Sequence, residues 1–133
     1  MKSKSVTQED PMGCAIACVA FAVTDSYKNA KKLFVHPEHA IKRGYYNNSI
    51  VKALRNGGLR YSFERANGKN ELISREGSII FIGIDERYPY GHYLINTELG
   101  WMDSWVNVPV IPRESGFRKE LPGTAEWIIY KVY

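Results

Sequence analysis

An α+β fold is predicted, with N-terminal helices packed on a C-terminal, mainly antiparallel sheet, and three observations carry the prediction. Up to Gly58 the apolar residues recur at helical spacing. Beyond Gly58 they alternate with polar residues or form short runs of strand length, separated by turn residues. Charge divides at the same place: residues 28–60 hold eight Lys or Arg against one acid, Glu38, for a net +7, whereas the segments before and after carry −1 and −2. The 133 residues, net +4, have the length of a single domain (1–133), long enough to bury a core without disulfides or metal.

The elements follow in order. Residues 12–24, small and apolar with few polar positions, read as a central core helix. Residues 27–35 set Lys28, Lys31 and Lys32 beside Ala30, Leu33, Phe34 and Val35, an amphipathic second helix. Pro37 opens a short turn or helix that ends near Gly44. Asn48 and Ser49 provide an N-cap for a fourth helix, stopped by Gly57-Gly58. Strands are predicted at 59–65, 78–84, 92–97, 101–106 and 125–132, with turns at 88–91 and 98–100 and a long Pro- and Gly-rich loop over about 107–123.

Composition excludes several classes. At 44% hydrophobic and 24% charged, the chain is neither disordered nor collagen-like. Two cysteines four residues apart, Cys14 and Cys18, are not a disulfide scaffold and fit a reduced, cytoplasmic-type chain. The apolar run 13–23, after Lys2 and Lys4 and containing Ala20-Phe21-Ala22, mimics a secretory signal, but Glu9, Asp10 and Pro11 interrupt its basic flank. It is also short of the roughly 20 residues that span a bilayer, so no membrane span is expected. The charge excess is too mild to announce a nucleic acid. It sits on the helices, where it makes a solvated face or a docking patch for an acidic partner.

Chemistry concentrates between Gln8 and Asp103. Cys14 stands in the first turn of the first helix, where unpaired amides and the macrodipole favour the thiolate, the nucleophilic form. Cys18 lies one turn deeper among apolar residues and lacks that advantage. His92 opens a strand directly after Gly91, and Asp103, between Trp101 and Trp105, falls on the next strand, so pairing brings His92 and Asp103 side by side. The carboxylate then orients the imidazole as a base. Gln8, six residues before Cys14, is placed to offer its amide to an oxyanion alongside the Cys14 backbone N–H.

Gln8 and Cys14-Ala15-Ile16-Ala17-Cys18 together resemble the opening motif of the bacteriocin-processing cysteine peptidases, papain-like domains that cleave leader peptides after a double glycine. Gly91-His92-Tyr93-Leu94-Ile95 is similar to that family's histidine strand, Met102-Asp103-Ser104 to its aspartate segment, and Ser49–Leu59 to its middle helix and stop. The resemblance implies a papain-like fold and a cysteine peptidase acting on a peptide or protein, with Cys14 as nucleophile, His92 as base, Asp103 as orienting group and Gln8 as oxyanion donor. Three departures mark the chain. Gly13 and Ala15 stand where the family usually has Asp and Gly, Ser104 stands where it has Pro, and no transporter domain follows.

The same residues suit a glutamine deamidase or other amidase, and a degenerate module would instead bind a peptide or an acidic partner through the basic 28–60 face. Zinc on Cys14, Cys18, His36 and His39 is weighed and set aside. The His-x-x-His spacing is tight, and the thiols sit in an apolar helix. No metal and no cofactor are assigned.

Overall fold

The computed structural model describes residues 4–132; Lys2, counted above beside the apolar run, lies outside them. Its architecture is α+β. Four helices come first: α1 (Cys14–Val23), α2 (Tyr27–Lys31), α3 (His39–Lys42) and α4 (Asn47–Asn56). Strand β1 (Tyr61–Arg65) and a short α5 (Asn70–Ile73) follow, then β2 (Ile79–Ile82), β3 (His92–Thr97), β4 (Gly100–Asp103), β5 (Gly116–Arg118) and β6 (Ala125–Lys131). All six strands join one antiparallel sheet in the order β1-β6-β2-β3-β4-β5.

Helix α1 is buried on all sides from Ala15 to Phe21, because its small residues let α2, α4 and β3 approach closely. The helix-facing side of the sheet contributes Ile79, Tyr93, Ile95, Met102 and Ile129 to this main core. On the opposite face Ile80, Ile82, Leu94 and Ile128 form a second core, covered by Tyr88, Leu72, Val108 and Leu121 from the connecting segments. With apolar neighbours on both faces, β2 reads as an unbroken apolar run rather than an alternation.

Several boundaries differ from the sequence expectation. Helix α2 stops at Lys31 because Lys32, Leu33 and Phe34 bond back three residues, tightening the chain ahead of Pro37. Helix α4 begins at Asn47 with no side-chain cap; the Asn47 carbonyl oxygen Oδ1 accepts instead from the Tyr93 hydroxyl at 3.0 Å. Strand β4 ends at Asp103, not 106, since the chain turns there and Trp105 N–H bonds back to the Asp103 carboxylate. The expected loop 107–123 contains β5, and α5 was not expected at all. Among the described residues no helix is long and apolar enough to cross a membrane.

Candidate active site

Cys14 is half-buried at the first position of α1, and Gly13 before it supplies no side-chain cap. The first-turn amides of Cys14, Ala15 and Ile16 therefore have no acceptor within the helix, and they point out of its positive end. The preceding loop is clamped from the helical side. Met12 N–H donates to Ala40 O at 2.7 Å, and the Asp10 carboxylate accepts from the Tyr27 hydroxyl (2.7 Å) and Lys31 (3.0 Å). Cys18 is fully buried, and burial pushes its thiol well above the ordinary range.

The β3–β4 hairpin supplies the other half. Its register pairs Ile95 with Met102, so one step on Asp103 faces Leu94, and His92 lies diagonal to Asp103 on the same face. That offset differs from the side-by-side pairing expected, and the imidazole spans it: His92 Nε2 lies 2.7 Å from Asp103 Oδ1. With Nε2 engaged, Nδ1 is the ring nitrogen left open, and Cys14 lines the same cleft as the imidazole. The Tyr88 ring stacks on the imidazole at 4.5 Å with a 3° tilt, which fixes its plane and shields it from water. Burial disfavours a charge on this ring, yet the hydrogen bond to Asp103 and the neighbouring Cys14 side chain outweigh it and raise His92 to about 9.

Asp103 is fully buried and fully occupied. Oδ1 accepts from His92 and from Trp105 N–H (2.9 Å), while Oδ2 accepts from Arg118 Nε at 2.7 Å. Burial alone would raise the carboxyl; His92 and Arg118 reverse that and hold it well below the usual carboxylate range. Arg118, on β5, is the member that sequence reasoning missed. The available signal was chemical: an aspartate walled in by tryptophans needs a cation beyond the histidine. The guanidinium is itself tied to Val106 O by Nη2 (3.3 Å), so β5 completes a line from Cys14 through His92 and Asp103 to Arg118.

Gln8 is brought to the same cleft, but its amide is committed. Nε2 donates to Asp10 O (2.9 Å) and Pro11 O (3.1 Å), and Oε1 accepts from the Ser104 hydroxyl at 2.6 Å. Its backbone N–H adds a bond to Ser104 O. Both amide hydrogens are thus engaged, in contrast to the free oxyanion donor expected. Gln8 acts as a bracket that ties the loop before Cys14 to the end of β4. The cleft, about 250 Å³, is lined by Cys14, His92 and Gln8 and walled by Met12, Tyr88, Trp105 and Val108.

Gly13 marks how tightly the loop is seated. A Cβ there would lie 1.9 Å from the Tyr27 hydroxyl, and Tyr27 is buried and bonded to Asp10. Gly13→Ala is expected to destabilise the fold by about 1–3 kcal/mol, the usual cost of overpacking. Chemical denaturation reads this, and an unshifted midpoint would show that Tyr27 does not press on this position. Comparison with protein-family models and with curated proteins gives no match.

Proposed function

We propose that the chain is a thiol hydrolase of papain-like fold, a cysteine peptidase that cleaves a peptide or leader sequence by acyl transfer through Cys14. One observation carries this reading: a buried His92 is hydrogen-bonded to Asp103 through Nε2 and lines the same cleft as Cys14, which stands at the uncapped start of α1. A merely structural histidine needs neither a thiol beside it in a cleft nor an open pocket.

In the proposed reaction, Cys14 Sγ transfers its proton to His92 Nδ1 and attacks the scissile carbonyl carbon. The carbonyl oxygen becomes an oxyanion in front of the first-turn amides of α1, which take the role foreseen for Gln8. The C–N bond then breaks as Nδ1 returns the proton to the leaving amine. Water, deprotonated by the same nitrogen, hydrolyses the thioester and frees the thiol. Asp103 keeps Nε2 protonated throughout, so that Nδ1 is the nitrogen that cycles.

The departures from the double-glycine peptidase motif have physical settings that keep this reading intact. Tyr27 leaves no room for a side chain at position 13, and the acid of the loop is Asp10, held by Tyr27 and Lys31. Ser104 uses its hydroxyl to hold Gln8.

A thiol alkylator such as iodoacetamide should label Cys14 far faster than Cys18, and His92→Ala should slow that labelling. Equal, slow labelling of both thiols sinks the proposal. Mass spectrometry of candidate substrates then separates peptide cleavage from the small mass gain of deamidation. The pH dependence has a definite sign. The ring is raised to about 9 in the folded state, against about 6.5 in the unfolded chain. Its contribution to stability is therefore complete below about 6.5 and lost as pH rises through the folded value. Denaturation midpoints should fall between neutral pH and about 9, and hydrolysis, which needs the protonated ring for the leaving amine, should fall over the same range. A flat midpoint across that interval contradicts the His92–Asp103 pairing.

A further inference from the structure

Outside the thiol site, two histidines set aside in the sequence gather around a carboxylate. We propose that His36, Glu38 and His39 form a surface site for a divalent transition ion of the zinc type, independent of the thiol site.

The donors already stand near coordination spacing. Glu38 Oε2 lies 3.2 Å from His36 Nδ1 and 3.7 Å from His39 Nε2, and one donor atom from each of the three residues lies within 4.8 Å of the others. Zinc bonds of about 2.0–2.2 Å place neighbouring donors roughly 3–3.5 Å apart. The two histidine–carboxylate edges therefore match a coordination polyhedron to within a few tenths of an ångström, and only the histidine–histidine edge has to close. Both rings place a nitrogen near the same carboxylate oxygen; because they stack at 4.6 Å with a 16° tilt, one ring must turn about its side-chain torsions to aim its in-plane lone pair at a shared ion.

The chain carrying these ligands is held in place. The Tyr45 hydroxyl donates to His36 O at 2.8 Å and Pro37 O at 3.1 Å, and its ring packs on Phe34 at 4.4 Å. His39 N–H closes the turn onto His36 O. Pro37 restricts the backbone between the first two ligands, so little conformational freedom remains to be lost on binding.

Ligand chemistry selects the ion. Two imidazoles and one carboxylate suit zinc, copper or nickel, whereas calcium and magnesium call for oxygen donors throughout. The cysteines considered with these histidines in the sequence belong elsewhere: Cys18 is sealed in the core and Cys14 lines the cleft with His92. Glu38 takes their place.

The test is a Zn²⁺ titration of the untagged full chain by calorimetry, repeated with Co²⁺ as an optical probe. The wild type and Cys14→Ala should each bind a single ion, with no thiolate-to-cobalt charge-transfer band. His39→Ala and Glu38→Gln should each weaken binding by at least the roughly 10–100-fold that loss of even an outer-shell partner costs. Unchanged circular dichroism in these exposed-turn variants shows that the fold is intact. Absence of zinc binding by the wild type, undiminished binding in both turn variants, or loss of binding in Cys14→Ala would each overturn the site. None of these outcomes bears on peptide hydrolysis, which is read separately from Cys14 alkylation.

Discussion

Asp103→Asn is expected to lower kcat/KM by about 10⁴-fold on any peptide the wild type cleaves, the scale of losing the orienting carboxylate of a nucleophile–histidine–acid set. The reason is donor geometry. Three donors converge on Asp103: His92 Nε2 and Trp105 N–H on Oδ1, and Arg118 Nε on Oδ2. An amide offers one oxygen and two hydrogens. If the oxygen keeps His92 and Trp105, the NH₂ collides with the Arg118 N–H. If it turns to Arg118, the NH₂ faces His92 Nε2 and forces the proton onto Nδ1, where the ring can no longer accept from Cys14. Either orientation leaves one strong donor unpaired in a buried site. Asp103→Ala should also destabilise the fold, by about 3–5 kcal/mol, because it removes the partner of two cationic groups at once. An asparagine variant within tenfold of wild type would show that Asp103 does not orient the imidazole.

Gly91→Ala is expected to destabilise the protein by about 2–5 kcal/mol, combining a left-handed backbone of roughly 1–2 kcal/mol with overpacking of roughly 1–3 kcal/mol. Gly91 has φ +77°, and a Cβ there would lie 2.1 Å from Phe81 Cζ and 3.0 Å from Ile82 O. Phe81 packs against Tyr93, whose ring it meets at 4.9 Å and whose hydroxyl bonds Tyr45 O and Asn47, so displacing Phe81 presses on that contact. Since His92 is the next residue, the strain falls on its imidazole. Activity should drop further than the unfolded fraction explains, and urea denaturation alongside Cys14 alkylation separates the two effects. An alanine variant as stable as wild type would mean that the left-handed turn is not required here.

The fold and the site were legible in the sequence to different depths. Helix α1 and strand β3 could be read because their signals are local, an unbroken small apolar run and an apolar strand after Gly91. The meeting of His92 with Asp103 could be read from the short Glu98–Leu99 turn, which fixes the hairpin, although the diagonal offset could not, since it depends on where pairing starts at Gly100. Strand β5 escaped because three residues carry no periodicity; it exists through its pairing with β4 and the Arg118–Asp103 ion pair. The commitment of the Gln8 amide was invisible for a similar reason. Two of its partners are backbone carbonyls and the third is the Ser104 hydroxyl, 96 residues away. Glu38 was passed over beside His36 and His39 because its stacking neighbours come together only once the turn has formed.

The place of β6 bears on the order in which the molecule comes into being. This strand is the last element, yet it sits between β1 and β2, pairing with both. During synthesis β1 therefore waits without a partner while all the other elements emerge, and the hairpin that carries His92 and Asp103 can form well before the sheet closes. Contacts of such long sequence separation fold slowly, because loop closure comes before any gain from packing. Arg118 also reaches Asp103 late, shortly ahead of β6. A growing chain thus exposes its thiol long before the carboxylate behind the imidazole meets Arg118 and the sheet is complete, so that the full arrangement around His92 belongs to the closed sheet rather than to any shorter stretch of the nascent chain.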